Sequence, residues 1–90
     1  MIQMSKKQTT VEIQGVEYTF QHPGVRESVR LRDRSKNKSG QLVEEKYYQE
    51  LMTHVIVQPK VNWDYFDEHP DVFDDVMLAA VEFLNPPSDK

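Results

Sequence analysis

His22, His54 and His69 are the three histidines of this 90-residue chain, which contains no cysteine. A structural zinc site takes four nitrogen or sulfur ligands, usually as pairs a few residues apart. None of the histidines has such a partner, so no metal site is expected. His22 and His69 read as polar residues beside helix starts, and His54 as a helix-surface residue. The run Asp64-Tyr65-Phe66-Asp67-Glu68-His69-Pro70-Asp71 has enough carboxylates to suggest calcium, but not the right pattern. An EF-hand loop sets oxygen ligands at alternate positions and a glycine at the bend; here aromatics intervene and the glycine is missing. Acids placed at helix N-termini, where the helix dipole favours negative charge, account for the run better. Gly15, Gly24 and Gly40 stand apart and form no phosphate-cradling loop, and Ser28, Ser35 and Ser39 lack the His and acid partners of a nucleophilic triad. No catalytic residue, cofactor site or metal ligand is expected, and the chain reads as a binding module and not an enzyme.

Size and charge narrow the binding classes. A chain this short buries only about 60–65% of its unfolded surface, which leaves a thin stability margin. The charged fraction of 29% and the hydrophobic fraction of 38% suit a globular domain. Residues 1–40 carry eight Lys/Arg against four Asp/Glu, or +4, and residues 41–90 carry three against eleven, or −8, for a net −4. The overall sign argues against nucleic acid, and a dipolar, solubilising surface explains the split. The absence of cysteine, and of an apolar run in Met1-Ile2-Gln3-Met4-Ser5-Lys6-Lys7, points to a cytoplasmic protein with no membrane segment.

The elements that would carry such a surface follow from periodicity. Residues 1–8 are polar and unpatterned, a flexible start. Val11/Ile13 and Val16/Tyr18/Phe20 alternate on either side of Gln14-Gly15, predicting a β-hairpin over 10–21 with Gly15 at the tight turn. Pro23-Gly24 opens a helix over 23–35 with Val25 and Val29 on its apolar face and Arg26, Arg30 and Arg34 as a basic stripe. A mobile polar loop over 36–41 leads to a central helix over 42–56, whose core stripe is Tyr48, Leu51, Met52 and Val55. Val55-Ile56-Val57 either finishes that helix or begins a short extended piece before Gln58-Pro59. Asn62 is placed to cap a short helical turn over 62–68, Pro70 starts a last helix over 70–85, and 86–90 is a tail. The expected fold is one small α+β domain, an N-terminal β-hairpin packed on three to four α-helices.

The last helix is the candidate binding element. Phe73, Val76, Met77, Ala80 and Leu84 form one core stripe, while Leu78, Val81 and Phe83 fall outside it or at its edge. Only Glu82 is polar between Val76 and Leu84. A helix apolar nearly all round must be covered on more than one side, and ninety residues supply little cover. Phe73, Met77, Leu78, Val81, Phe83 and Leu84 are therefore the expected partner-binding residues, unless the hairpin and first helix cover them all.

The order of these segments also resembles a known family. A hairpin followed by Phe20-Gln21-His22-Pro23-Gly24-Val25-Arg26-Glu27, by Lys46-Tyr47-Tyr48-Gln49-Glu50-Leu51, and by Val55-Ile56-Val57-Gln58-Pro59-Lys60-Val61 with a closing Asp/Phe-rich helix is similar to the short tail assembly chaperones of long-tailed bacteriophages and prophages of Gram-positive bacteria. The likeness spans residues 10–85, and its motifs are specific in combination only. It implies a protein encoded between the tail tube and tape measure genes that coats the tape measure protein and helps tail tube subunits assemble around it. It also implies self-association, work in the host cytoplasm, absence from the mature virion, and a longer form made by ribosomal frameshifting. Two other readings stand beside it. One is a head–tail joining or accessory structural protein with similar sticky helices. The other is a DNA-binding regulator using Arg26, Arg30, Arg32 and Arg34, against which Glu27, Asp33 and the acidic second half count.

Overall fold

The structure, a computed structural model, describes residues 7–85. The expected tail at 86–90 and nearly all of the expected start at 1–8 lie outside the described residues.

Strands β1 (Gln8–Ile13) and β2 (Val16–Gln21) pair antiparallel in a register running from Gln8 opposite Gln21 to Ile13 opposite Val16. The two-residue turn has positive φ at Gln14 (51°) and at Gly15 (81°), the backbone of a type I′ hairpin whose twist matches its strands. Directly opposed residues share a face, so Thr9/Phe20, Val11/Tyr18 and Ile13/Val16 line one side and Gln8/Gln21, Thr10/Thr19 and Glu12/Glu17 the other. The first side meets the core, with Tyr18 and Phe20 fully buried, and the second is a polar outer face.

A third strand, β3 (Ile56–Gln58), joins β2 antiparallel and gives the sheet order β1-β2-β3. This decides between the two readings of Val55-Ile56-Val57. Helix α2 (Glu44–His54) ends with the Val55 amide donating to the Leu51 carbonyl at 2.9 Å. The Val55 carbonyl then accepts from the Gln21 amide at 2.8 Å, so the chain passes directly from helix to sheet. β-branched residues suit the pleated, half-covered position that follows. Within α2, Tyr47, Leu51 and Met52 are buried, whereas Tyr48, predicted to lead the core stripe, is half-buried at its edge.

Helix α1 (Val25–Arg34) departs most from expectation. Its predicted core face is exposed: Val25 at 77% and Val29 at 44%. The helix is held instead by Leu31, which is fully buried, and by Ser35 just past its end. The Ser35 hydroxyl donates to the Leu31 carbonyl at 2.7 Å, and the Ser35 carbonyl accepts from the Val43 amide at 2.8 Å. An interhelical ion pair adds to this: Arg34 meets Glu27 at 2.9 Å on its own helix and Glu50 of α2 at 2.7 Å. The loop over 36–41 is closed on itself, with Asn37 Oδ1 accepting from the Ser39 and Gln41 amides at 2.9 and 3.0 Å.

Asn62 caps α3 (Trp63–Glu68) as predicted, its Oδ1 accepting from the Tyr65 amide at 2.8 Å. Pro70 opens α4 (Pro70–Leu84), the longest helix, which lies against β1 and β2 of the sheet and against α2 and α3. The result is an α+β fold of a three-stranded antiparallel sheet and four helices. Its core runs from Tyr18 and Phe20 through Leu51 and Val55 to Val76. Beneath α3 the Tyr18 and Tyr65 hydroxyls meet at 2.6 Å, and burial, aided by that bond, raises the Tyr18 phenol above its ordinary pKa.

Candidate partner-binding surface

Helix α4 is wide in apolar surface because it is covered from two sides. Val72, Val76, Met77, Ala80 and Leu84 are buried, flanked by half-buried Phe73, Ala79, Val81 and Phe83. The outward face comprises Asp71, Asp74, Asp75, Leu78 and Glu82. The hairpin supplies much of the cover, together with α2 and α3.

The six predicted partner residues therefore separate. Met77 (2% exposed) and Leu84 (7%) belong to the core, and their side chains are not available to a partner. Phe83 covers the end of the sheet, its ring centroid 6.0 Å from both Phe20 and His22. Val81 is half-buried against the core. Leu78 alone stands out, 57% exposed at the centre of the outward face. Asp74, Asp75 and Glu82 lie one turn away from it, at helical neighbour spacing, so whatever covers Leu78 also meets three carboxylates.

Phe73, the sixth, opens a feature that helix-by-helix reading missed. Its ring packs 5.4 Å from Tyr48, 6.0 Å from Trp63 and 5.1 Å from Phe66, in tilted and edge-to-face contacts. Where α3 turns into α4, Trp63, Phe66, Asp67, Pro70 and Phe73 line an open apolar cleft of ≈ 240 Å³. The indole is held in place by its Nε1–H donating to Gln49 Oε1 of α2 at 2.7 Å. The available signal was the pair of i, i+3 spacings, Trp63/Phe66 and Pro70/Phe73, on two helices joined only by His69. Pro70, Asp74, Leu78 and Glu82 then form a single i+4 row leading from this cleft along the outward face.

Each of the three histidines has its own local contacts. His22 sits beside the start of α1, with its Nδ1 accepting from the Gly24 amide at 3.0 Å. His54 lies on the surface of α2, 3.4 Å from Glu50. His69 is the residue before α4 and stacks against Tyr65, ring centroids 4.7 Å apart. Among the described residues no group of three His, Asp or Glu is arranged to hold a metal ion. A hollow of ≈ 360 Å³ between α2 and β3 has Lys60 as its one ionisable lining residue. No helix of the described residues is long and apolar enough to cross a membrane.

The basic stripe of α1 loses a member. Arg34 is clamped by Glu27 and by a two-pronged contact with Glu50, at 2.7 and 3.3 Å. These bonds push the guanidinium pKa above its ordinary value and, through the Arg34 contact, pull the Glu27 carboxyl below its own. Arg26 and Arg30 remain exposed, with no ion pair among the described residues. Compared with known proteins, the chain matches no family model, no curated protein and no solved structure.

Proposed function

We propose that this chain is a tail assembly chaperone that binds the tape measure protein and helps recruit tail tube subunits during tail morphogenesis. A tape measure protein exposes long amphipathic helices before its tube closes around it, and transient cover of their apolar stripes prevents self-association. The observation that carries this reading is the exposed Leu78 in the middle of an otherwise acidic helix face. Covering the exposed part of this leucine contributes roughly 1–2 kcal/mol, enough for a weak, reversible contact and too little for a permanent one. Repeated along a long partner, weak contacts of this kind add through effective concentration. The surrounding Asp74, Asp75 and Glu82 favour partner helices that carry Lys or Arg beside their apolar stripe.

A chaperone of this type acts in the host cytoplasm and leaves the finished particle. The experiment is co-expression with a tape measure fragment, comparing the wild-type chain with Leu78→Asp. The variant is expected to keep its fold and to lose co-precipitation of the fragment. Undiminished capture would mean that another surface, or another function, is at work. Mass spectrometry of purified particles separates this reading from a head–tail joining protein, which would remain in the virion. The DNA-binding reading is weaker than the sequence suggested, since Arg34 is already neutralised.

A further inference from the structure

Two surfaces of this molecule are complementary in shape and charge. On α1, Val25 and Val29 lie one helical turn apart, roughly 6 Å, and are exposed at 77% and 44%. Arg26 and Arg30 run alongside them, and Arg32 lies a further turn along on the other flank. Val25 stands mostly in water and Val29 close to half so, because Leu31 and Ser35 anchor α1 from its other side. At the α3–α4 corner, the cleft lined by Trp63, Phe66, Pro70 and Phe73 is apolar, open, and rimmed by Asp67, with exposed Asp64 and Asp74 close by in the chain. One surface is an apolar ridge flanked by cations; the other is an apolar hollow flanked by carboxylates.

We infer that α1 of one copy docks its Val25–Val29 ridge into the aromatic cleft of a second copy, joining the chains head to tail. The cleft's ≈ 240 Å³ accommodates a valine side chain, and Arg26 and Arg30 then face Asp67 and Asp74 across the contact. The charge split of the chain, +4 over residues 1–40 and −8 over 41–90, favours this orientation over a symmetric pairing of like surfaces. Within one copy the two surfaces do not meet, since Val25 and Val29 stay exposed and no residue of α1 lines the cleft. A head-to-tail contact leaves one ridge and one cleft unfilled in every pair, so association grows past two copies, whereas a reciprocal pairing would close at two. This inference does not depend on the tape measure reading and is tested without any partner.

Trp63 is the only tryptophan of the chain and lines the cleft, so its fluorescence reports occupancy directly. With the full-length protein, raising concentration at low salt is expected to shift Trp63 emission to the blue and to raise the sedimentation-average mass beyond that of a dimer. Added salt should reverse both, because exposed charge pairs are screened. Two variants decide the geometry: Arg26→Glu with Arg30→Glu spoils the ridge, and Asp67→Lys with Asp74→Lys spoils the cleft rim. Each alone should stay monomeric with a native circular dichroism spectrum, while their equimolar mixture should form a dimer and nothing larger, one intact ridge meeting one intact cleft. If either variant loses the native spectrum, Val25→Ser with Val29→Ser replaces the ridge variant and Phe73→Leu the cleft variant. A wild type monomeric throughout, a dimer that never grows, assembly unaffected by the variants, or a mixture that stays monomeric would each overturn the proposal.

Discussion

Replacing Leu31 with alanine removes the one apolar side chain by which α1 is buried. Truncating a buried leucine costs about 2–5 kcal/mol, from lost transfer energy and from the cavity left behind. Ser35 and the Arg34–Glu50 pair still tether the helix, which lets the site relax and places the expected loss near the middle, about 3 kcal/mol. For a domain of this size that corresponds to a fall in Tm of about 10–20 °C. Val25→Ala is the matched control, because Val25 is 77% exposed and alanine is the better helix former. Its expected effect is between zero and a gain of about 0.5 kcal/mol. Urea denaturation of the three proteins at one concentration, kept low enough to hold them monomeric, measures both differences. Equal slopes would confine the comparison to stability, and the midpoint of the Leu31 variant should fall while that of the Val25 variant does not. Should Val25→Ala cost as much as Leu31→Ala, α1 would be packed by its valine face and the exposed ridge would not exist.

Gln14→Asn is expected to stabilise the hairpin by a few tenths to about 1 kcal/mol, since Gln14 holds φ 51° and asparagine tolerates the left-handed region better; a thermal melt that moves down instead would refute the I′ turn. Acid should weaken the Glu27–Arg34 pair within α1. Glu27 has a folded pKa lowered from 4.5, chiefly by Arg34, so its contribution is present above that value and disappears as pH falls through the folded one. The drop in urea midpoint between neutral and strongly acid solution should therefore be smaller in Glu27→Gln than in the wild type. For Leu78→Asp, whose loss of partner capture is the functional test, the isolated fold should lose about 1–2 kcal/mol in a urea melt and stay folded, since the new carboxylate joins Asp74, Asp75 and Glu82 at helical neighbour spacing.

Local signals in this chain were read correctly because each is settled within a few residues. The alternation of Val11/Ile13 and Val16/Tyr18/Phe20 about Gly15 places a hairpin whatever else surrounds it, and its register follows from the two-residue turn. Asn62 capping α3 and Pro70 opening α4 are likewise matters of the first-turn amides and of proline's fixed φ. What lay beyond reach was the choice among competing apolar faces. Val25 and Val29 fit a helical stripe as well as Leu31 does, and only the position of α2 decides which is covered. Tyr47 and Tyr48 are adjacent, and their burial depends on where α4 brings Phe73. Ile56-Val57-Gln58 becomes strand because β2 presents an open edge there, a partner 36 to 39 residues away in the chain. The excess of apolar residues on α4 is legible, but the sheet and two helices cover it wholly or in part and leave only Leu78 mostly exposed. The aromatic cleft exists only because α3 and α4 meet at a corner. Propensity, capping and turn chemistry act over a single helical turn or hairpin, so composition and spacing determine the elements. Which face each element buries depends on surfaces remote in sequence, and tertiary packing alone settled it.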